Sequence, residues 1–167
     1  YSILLYITNM NMGEGLEKVT KIKPDKIDDT IKRIEGFNMS KYNFENIQNN
    51  GSKIVCVFGC LLSENGKKFK KEMLSWLTTK YDVICVNQEY PGTLYEWPAM
   101  KFARQYSIDN NVPVLYIHTK GAFNENKGQE KVRKLWKQEF IDNYDWYENI
   151  VLKDPNAVAA PFVADCP

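Results

Sequence analysis

The sequence predicts an α/β fold with a mostly parallel sheet. Apolar residues fill three short segments almost without interruption, 54–58, 81–86 and 112–117. Such runs are typical of strands buried on both faces, as in parallel sheets. Segments with helical spacing of apolar residues separate them. Strands that alternate with helices in this way indicate βαβ units and a parallel sheet.

The first 50 residues carry weaker signals. Residues 2–8 have the composition of a strand, and 10–15 read as a loop because glycine and asparagine are frequent there. Residues 24–36 are predicted to be helical, since isoleucines recur at helical spacing. Residues 37–48 are polar with scattered aromatics and receive no assignment. We therefore expect 1–50 to be an N-terminal segment that packs on a main domain of residues 51–167.

The main domain begins with the strand at 54–58 and a predicted helix at 64–80, where an apolar stripe faces lysines. A second helix ends near residue 110. The sequence leaves two alternatives for its start. One is a capping box formed by Thr93 and Glu96, and the other places Pro98 at the first helical position. A third helix is predicted at 129–144. A further strand is expected at 157–163.

Composition excludes several classes of protein. The chain has 167 residues, which suits one domain, and a net charge of +1 from 22 basic and 21 acidic residues. That balance gives no case for a nucleic-acid partner. No apolar run is long enough for a transmembrane segment. Four cysteines without zinc-site spacing are expected to be reduced and mostly structural, which favours a cytoplasmic location.

Ligands of open α/β sheets bind outside the carboxyl ends of the strands. That rule selects the segments 59–64, 87–92, 118–124 and 164–165. None carries a standard phosphate loop. Gly59 and Gly66 are separated by six residues where a P-loop has four, and no Gly-x-Gly-x-x-Gly or nucleophile elbow occurs.

The segment His118–Gly121 is the most informative of these strand ends. A histidine, a hydroxyl, a cation and a glycine follow a buried strand directly. Thr119 and Lys120 offer hydrogen-bond donors, and Gly121 permits an unusual backbone conformation. Arg133, one helix later, is a candidate to neutralise a diphosphate together with Lys120. The alternative is that Lys120 is solvated and that His118 only ends the strand.

The run Leu115–Gly121, followed by Val132–Trp136, resembles a glycosyltransferase-like family related to the rhamnan synthesis protein F group. Members have a strand that ends in His-Thr/Ser-Lys and a Trp-Arg pair on the next helix. The resemblance implies a nucleotide-sugar donor, a glycan or other acceptor, and a Rossmann-like, GT-A-like fold of three α/β/α layers. A complete catalytic domain of that kind is longer, so we expect the chain to be part of a larger protein.

The positions of polar residues after the predicted strands, together with the resemblance, lead to a set of expected roles. His118, Glu89 and Asp165 are candidates for catalysis, the two carboxylates as the base that takes a proton from the acceptor hydroxyl. Residues expected to bind substrate are Gly59, Cys60, Glu64, Thr119, Lys120, Gly121 and Arg133. No metal ligand and no cofactor is evident, since no Asp-x-Asp occurs. A divalent cation is expected only if its ligands lie outside the chain.

Two other functions remain open from the sequence. The first is a non-catalytic α/β domain that binds a carbohydrate, a nucleotide or a protein partner. The second is a hydrolase or phosphotransferase on a flavodoxin-like sheet, which predicts phosphate release that depends on Lys120.

Overall fold

Strands and helices alternate along the chain. The protein is described by a computed structural model over residues 6–7, 24–38, 42–48, 52–89, 96–122 and 126–153. The strands are β1 (Tyr6–Ile7), β2 (Tyr42–Ile47), β3 (Val55–Leu61), β4 (Asp82–Gln88) and β5 (Val114–His118). The α-helices are α1 (Pro24–Lys32), α2 (Glu64–Leu77), α3 (Trp97–Asn110), α4 (Lys127–Lys137) and α5 (Tyr144–Lys153). A π-helical turn, Gln138–Asp142, joins α4 to α5.

Across the described residues the strands form one open sheet in the order β1-β5-β3-β4-β2. β5, β3 and β4 are parallel, whereas β1 and β2 run antiparallel at the two edges. The α/β prediction is confirmed, but the expectation of a mostly parallel sheet is wrong, because the sheet is mixed. The strand β2 was missed because it is half-exposed. Its alternation of Tyr42, Asn43, Phe44 and Glu45 is the period-2 pattern of such a strand, and it falls in the unassigned stretch.

Alternate side chains of β3 enter two separate hydrophobic clusters. Cys56 and Phe58 pack with side chains of α2, α4 and α5. Val55 and Val57 pack with side chains of α1 and α3. Since successive side chains of a strand point to opposite faces, helices cover both faces of the central strands. This double burial explains why β3, β4 and β5 read as continuous apolar runs.

The order of the parallel strands places a topological switch point beside β3. The chain passes from β3 to β4 on one side and then returns to β5 on the other side of β3. The helices that follow β3 and β4 belong to the two different clusters. The loops after these strands therefore separate toward opposite faces, and a crevice forms at their carboxyl ends.

The structure decides one helix boundary that the sequence left open and corrects another. The helix α3 begins at Trp97 with Pro98 in its first turn, so of the two alternatives the proline marks its start. The helix predicted at 129–144 ends at Lys137. The Asn143 amide then donates to the Gln138 carbonyl over 3.2 Å, a wider turn than an α-helix makes. The strand predicted at 157–163 and most of that at 2–8 lie outside the described residues.

Candidate functional site

A cavity of about 300 Å³ lies at the carboxyl ends of the three parallel strands. Its walls come from Gly59–Leu61 of β3, from the end of β4, from the first turn of α3, and from the segment His118–Ala122. In the sheet register Gly59 lies between Val86 and His118, which brings these walls together. The volume is at the lower end of the range for small-molecule sites, roughly 300–1,000 Å³.

Gly59 allows the wall formed by α3 to approach the sheet. A Cβ atom at this position would lie 3.0 Å from the Ala99 Cβ and 3.3 Å from the Tyr116 hydroxyl. Any larger residue would push α3 away from β3. Gly59 is therefore needed for the packing of α3 against β3, and the substrate contact expected for it stays a prediction.

The segment after β5 is bonded to the end of β3. The Thr119 amide donates to the Gly59 carbonyl over 3.0 Å. The Leu61 amide donates to the Thr119 hydroxyl oxygen over 3.1 Å. The Lys120 amide donates back to the His118 carbonyl over 2.8 Å, which forms a tight turn. Gly121 has a φ of +88°, a conformation that side chains disfavour. The backbone of this turn is therefore held rigidly at the cavity.

Arg133 lies behind this turn and not among the residues that line the cavity. Its side chain is 3% exposed, and Nη1 donates to the Lys120 carbonyl over 3.0 Å. The guanidinium stacks 3.7 Å from the Phe69 ring centroid, and Nε is 3.4 Å from Glu72 Oε2. Arg133 therefore stabilises the turn. The diphosphate contact expected for it is not supported by this position.

His118 lines the cavity as a buried, neutral imidazole. Burial, and after it the positive charge of Lys120, lowers the pKa of His118 to about 3. Nε2 lies 3.5 Å from Oε1 of Glu96, whose side chain is 48% exposed. Because water screens that carboxylate, the burial of the imidazole dominates. The carboxylate favours the tautomer with the proton on Nε2, which leaves Nδ1 as an acceptor.

The free energy of unfolding is expected to depend on the protonation of His118. The unfolded chain binds this proton near pH 6.5, the folded one only near pH 3. The stability from the neutral buried imidazole is therefore complete above about pH 6.5 and is lost as the pH falls toward 3. Between pH 7 and pH 5 the wild type should lose about 2 kcal/mol more than a His118→Gln variant.

Urea unfolding of both proteins at the two pH values measures this difference. His118 is the single histidine of the chain, so no other imidazole contributes. Carboxylates titrate in both proteins and cancel. Equal losses in the two proteins would refute the buried neutral state.

Of the remaining residues expected at the site, the structure places one at the cavity and two away from it. Cys60 lines the cavity, but its thiol is buried beside Cys85, and burial raises its pKa well above the usual range. Glu64, in the first turn of α2, and Glu89, directly after β4, are exposed and do not line the cavity. Asp165 lies outside the described residues.

Four polar residues line the cavity that sequence reasoning did not assign to it: Tyr42, Glu96, Tyr116 and Gln129. The sequence pattern suggests Glu96 only as a capping partner, yet at the start of α3 its side chain makes no capping hydrogen bond. Tyr116 belongs to a predicted buried strand, so the sequence does not point to it as a cavity residue. Gln129 begins the predicted third helix. The one signal for it in the sequence is that Gln129 starts the helix after the loop that follows the third predicted strand. Loops at strand ends face the helices that follow them.

Two features are absent from the described residues. No group of three or more histidine, cysteine, aspartate or glutamate side chains there is arranged to hold a metal ion. In the same part of the chain, no helix combines the length and the apolar character needed to cross a bilayer.

Comparisons with protein-family models, with curated proteins and with solved structures give no match for this chain.

Proposed function

We propose that this domain binds a nucleotide-sugar at the carboxyl-end cavity and transfers the sugar to an acceptor hydroxyl. The observation that carries the proposal is the meeting of His118, Lys120 and Gly121 with Glu96 in one cavity at the switch point of the sheet. The sequence motif supplies the first three of these residues, and the fold supplies the fourth. The finer fold assignment, a three-layer Rossmann-like and GT-A-like domain, belongs to the same proposal.

Lys120 is the cation that the proposal assigns to the diphosphate. It is a partly buried residue that lines the cavity, on a turn whose backbone is bonded on both sides. In the transfer step the acceptor oxygen attacks the anomeric carbon, and the bond from that carbon to the diphosphate oxygen breaks. The negative charge that develops on the diphosphate is stabilised by the Lys120 ammonium.

The proton of the acceptor hydroxyl needs a base close to the cavity. Glu96 is the lining carboxylate on the described part of the chain, and it replaces Glu89 as the candidate. A histidine with a pKa of about 3 is a weak base near neutral pH, so His118 is better suited to accepting hydrogen bonds.

Replacing Lys120 with alanine should weaken nucleotide-sugar binding about 10- to 100-fold, since a charged hydrogen-bonding partner contributes roughly 1.5–3 kcal/mol. The hydrogen bond from Arg133 to the backbone carbonyl at position 120 does not involve the side chain that is removed. Isothermal titration of the full chain against uridine, guanosine and thymidine diphosphate sugars, with and without manganese, measures the effect.

Lys131→Ala is the matched control, because Lys131 is exposed on α4 and does not line the cavity. This variant should bind as the wild type does. Failure of the wild-type chain to bind any of these donors would overturn the proposal.

The second candidate is a binding domain without catalysis, which recognises a carbohydrate, a nucleotide or a protein partner. The low pKa of His118 and the hydrogen bond of Arg133 to the turn favour this alternative, because His118 is then a weak base and Arg133 is held away from the ligand. Donor binding without release of nucleoside diphosphate, in the presence of a panel of acceptor glycans, would select this alternative. For either function we propose a cytoplasmic setting, supported by the free thiols of Cys56, Cys60 and Cys85.

A further inference from the structure

Several polar atoms at the cavity have no hydrogen-bond partner within the described residues. They are the Tyr42 hydroxyl, the Tyr116 hydroxyl, Nδ1 of His118 and Oε1 of Gln129. All four belong to residues that line the same cavity. Buried polar groups without partners cost free energy, and their concentration in one place indicates that a ligand completes them.

Two of these atoms are acceptors. Because the Glu96 carboxylate favours the proton on Nε2 of His118, Nδ1 has a lone pair and no hydrogen. The Gln129 amide oxygen is likewise an acceptor. Gln129 packs closely against Gly121, where an added Cβ would lie 3.1 Å from the Gln129 Cβ. A ligand that satisfies these atoms must bring hydrogen-bond donors of its own.

The other two atoms belong to tyrosines that remain protonated. Burial, and after it the Glu96 charge, raises the pKa of Tyr116 well above its usual range, and burial also raises that of Tyr42. Both hydroxyls can therefore donate to a ligand and accept from it. Their rings supply the apolar surface that carbohydrate C–H groups pack against.

We infer that the part of the cavity lined by Tyr42, Tyr116, His118 and Gln129 is a subsite for a neutral, hydroxyl-rich group of monosaccharide size and excludes phosphate. Hydroxyls donate to His118 and Gln129 and accept from the two tyrosines, whereas the ionised diphosphate of a nucleotide-sugar has no hydrogen to donate to the two acceptors. Glu96 would also repel an anion placed next to His118. A volume of about 300 Å³ suits a single sugar and not a whole nucleotide-sugar.

This inference rests on the proposed function only in identifying the group as the sugar of the donor. It assigns the two parts of that donor to different residues. The sugar occupies the cavity beside Tyr116, His118 and Gln129, and the diphosphate lies toward Lys120.

Saturation-transfer NMR on the full chain tests the subsite, with methyl glycosides of glucose, galactose, mannose and rhamnose as probes. At least one glycoside should bind, and neither inorganic phosphate nor pyrophosphate at equal concentration should displace it. Tyr116→Phe and Gln129→Met should each weaken binding about tenfold, because each removes one hydrogen bond and keeps the shape of the side chain.

Tyr106→Phe and Gln138→Met are the matched controls. Tyr106 is a buried tyrosine of α3, Gln138 is exposed after α4, and neither lines the cavity. Both should bind as the wild type does. The urea midpoint of Tyr116→Phe should equal or exceed that of the wild type, since an unpaired buried hydroxyl is lost, so weaker binding would not result from unfolding.

Three results would overturn the subsite: no glycoside binds, phosphate displaces the glycoside, or the two cavity variants bind as their controls do. If nucleotide-sugars bind while one of these results is obtained, the subsite alone fails. If glycosides bind as expected and no nucleotide-sugar binds, the proposed donor fails and the subsite stands.

Discussion

Replacing Gly66 with alanine is expected to destabilise the protein by at least about 3 kcal/mol, more than most single substitutions do. Gly66 lies in the first turn of α2, where an added Cβ would be 1.7 Å from the carbonyl oxygen of Leu61 and 2.9 Å from its carbonyl carbon. Both obstacles are backbone atoms at the end of β3, so no side-chain rotation removes the clash. The helix must move away from the sheet.

That movement would also reach the cavity. The Gly66 amide donates to the Ser63 hydroxyl over 3.0 Å, and Ser63 donates in turn to the Ala122 carbonyl over 2.7 Å. A displaced α2 therefore loosens the segment that carries His118 and Lys120. Guanidinium unfolding curves of wild type and Gly66→Ala measure the stability loss.

Gly128→Ala is the matched control, because it makes the same change in the first turn of α4. There the nearest atom to the added Cβ is the side-chain oxygen of Asn126, at 3.1 Å. A side-chain atom can shift, and alanine is a better helix former than glycine, so the change should stay within about 1 kcal/mol. Similar unfolding midpoints for the two variants would contradict the packing described for α2.

Replacing Arg133 with methionine should cost about 2–3 kcal/mol of stability, the usual range for losing a hydrogen bond from a buried charged group. Methionine retains an unbranched stem over Phe69 but cannot donate to the Lys120 carbonyl. That carbonyl and the turn that contains it would lose their support. Binding of any cavity ligand should therefore weaken at least tenfold, although Arg133 does not line the cavity.

Urea unfolding and titration with the nucleotide-sugar panel check both effects together. Lys131→Met, an exposed position on the same helix, should change stability by less than about 0.5 kcal/mol. An Arg133→Met protein of full stability that fails only to bind diphosphates would show that the arginine contacts ligand. That outcome would restore the role first expected for it.

Local patterns in the sequence were sufficient for the central part of the fold. The strands β3, β4 and β5 follow from continuous apolar runs, because both faces of the central strands are buried, and the helix α2 follows from its apolar stripe. Two elements with weaker local patterns were not predicted. The edge strand β2 pairs with β4, and the turn between α4 and α5 accepts a hydrogen bond from the Tyr81 hydroxyl at the Phe140 carbonyl, so both have partners distant in sequence. Burial by such partners overrides local propensity.

For the site, the sequence by itself determined that a polar turn, His118–Gly121, follows a buried strand, since a strand and the residues after it are contiguous in the chain. Only the tertiary structure decided which residues meet that turn. The antiparallel pairing of β2 with β4 places Tyr42 opposite Gln88 at the cavity. The start of α3 brings Glu96 there, whereas Glu89 stays outside. The same packing draws Arg133 behind the turn, because its guanidinium finds Phe69, Glu72 and the Lys120 carbonyl there. Strand order and helix placement arise from contacts between distant segments, and no local pattern encodes them.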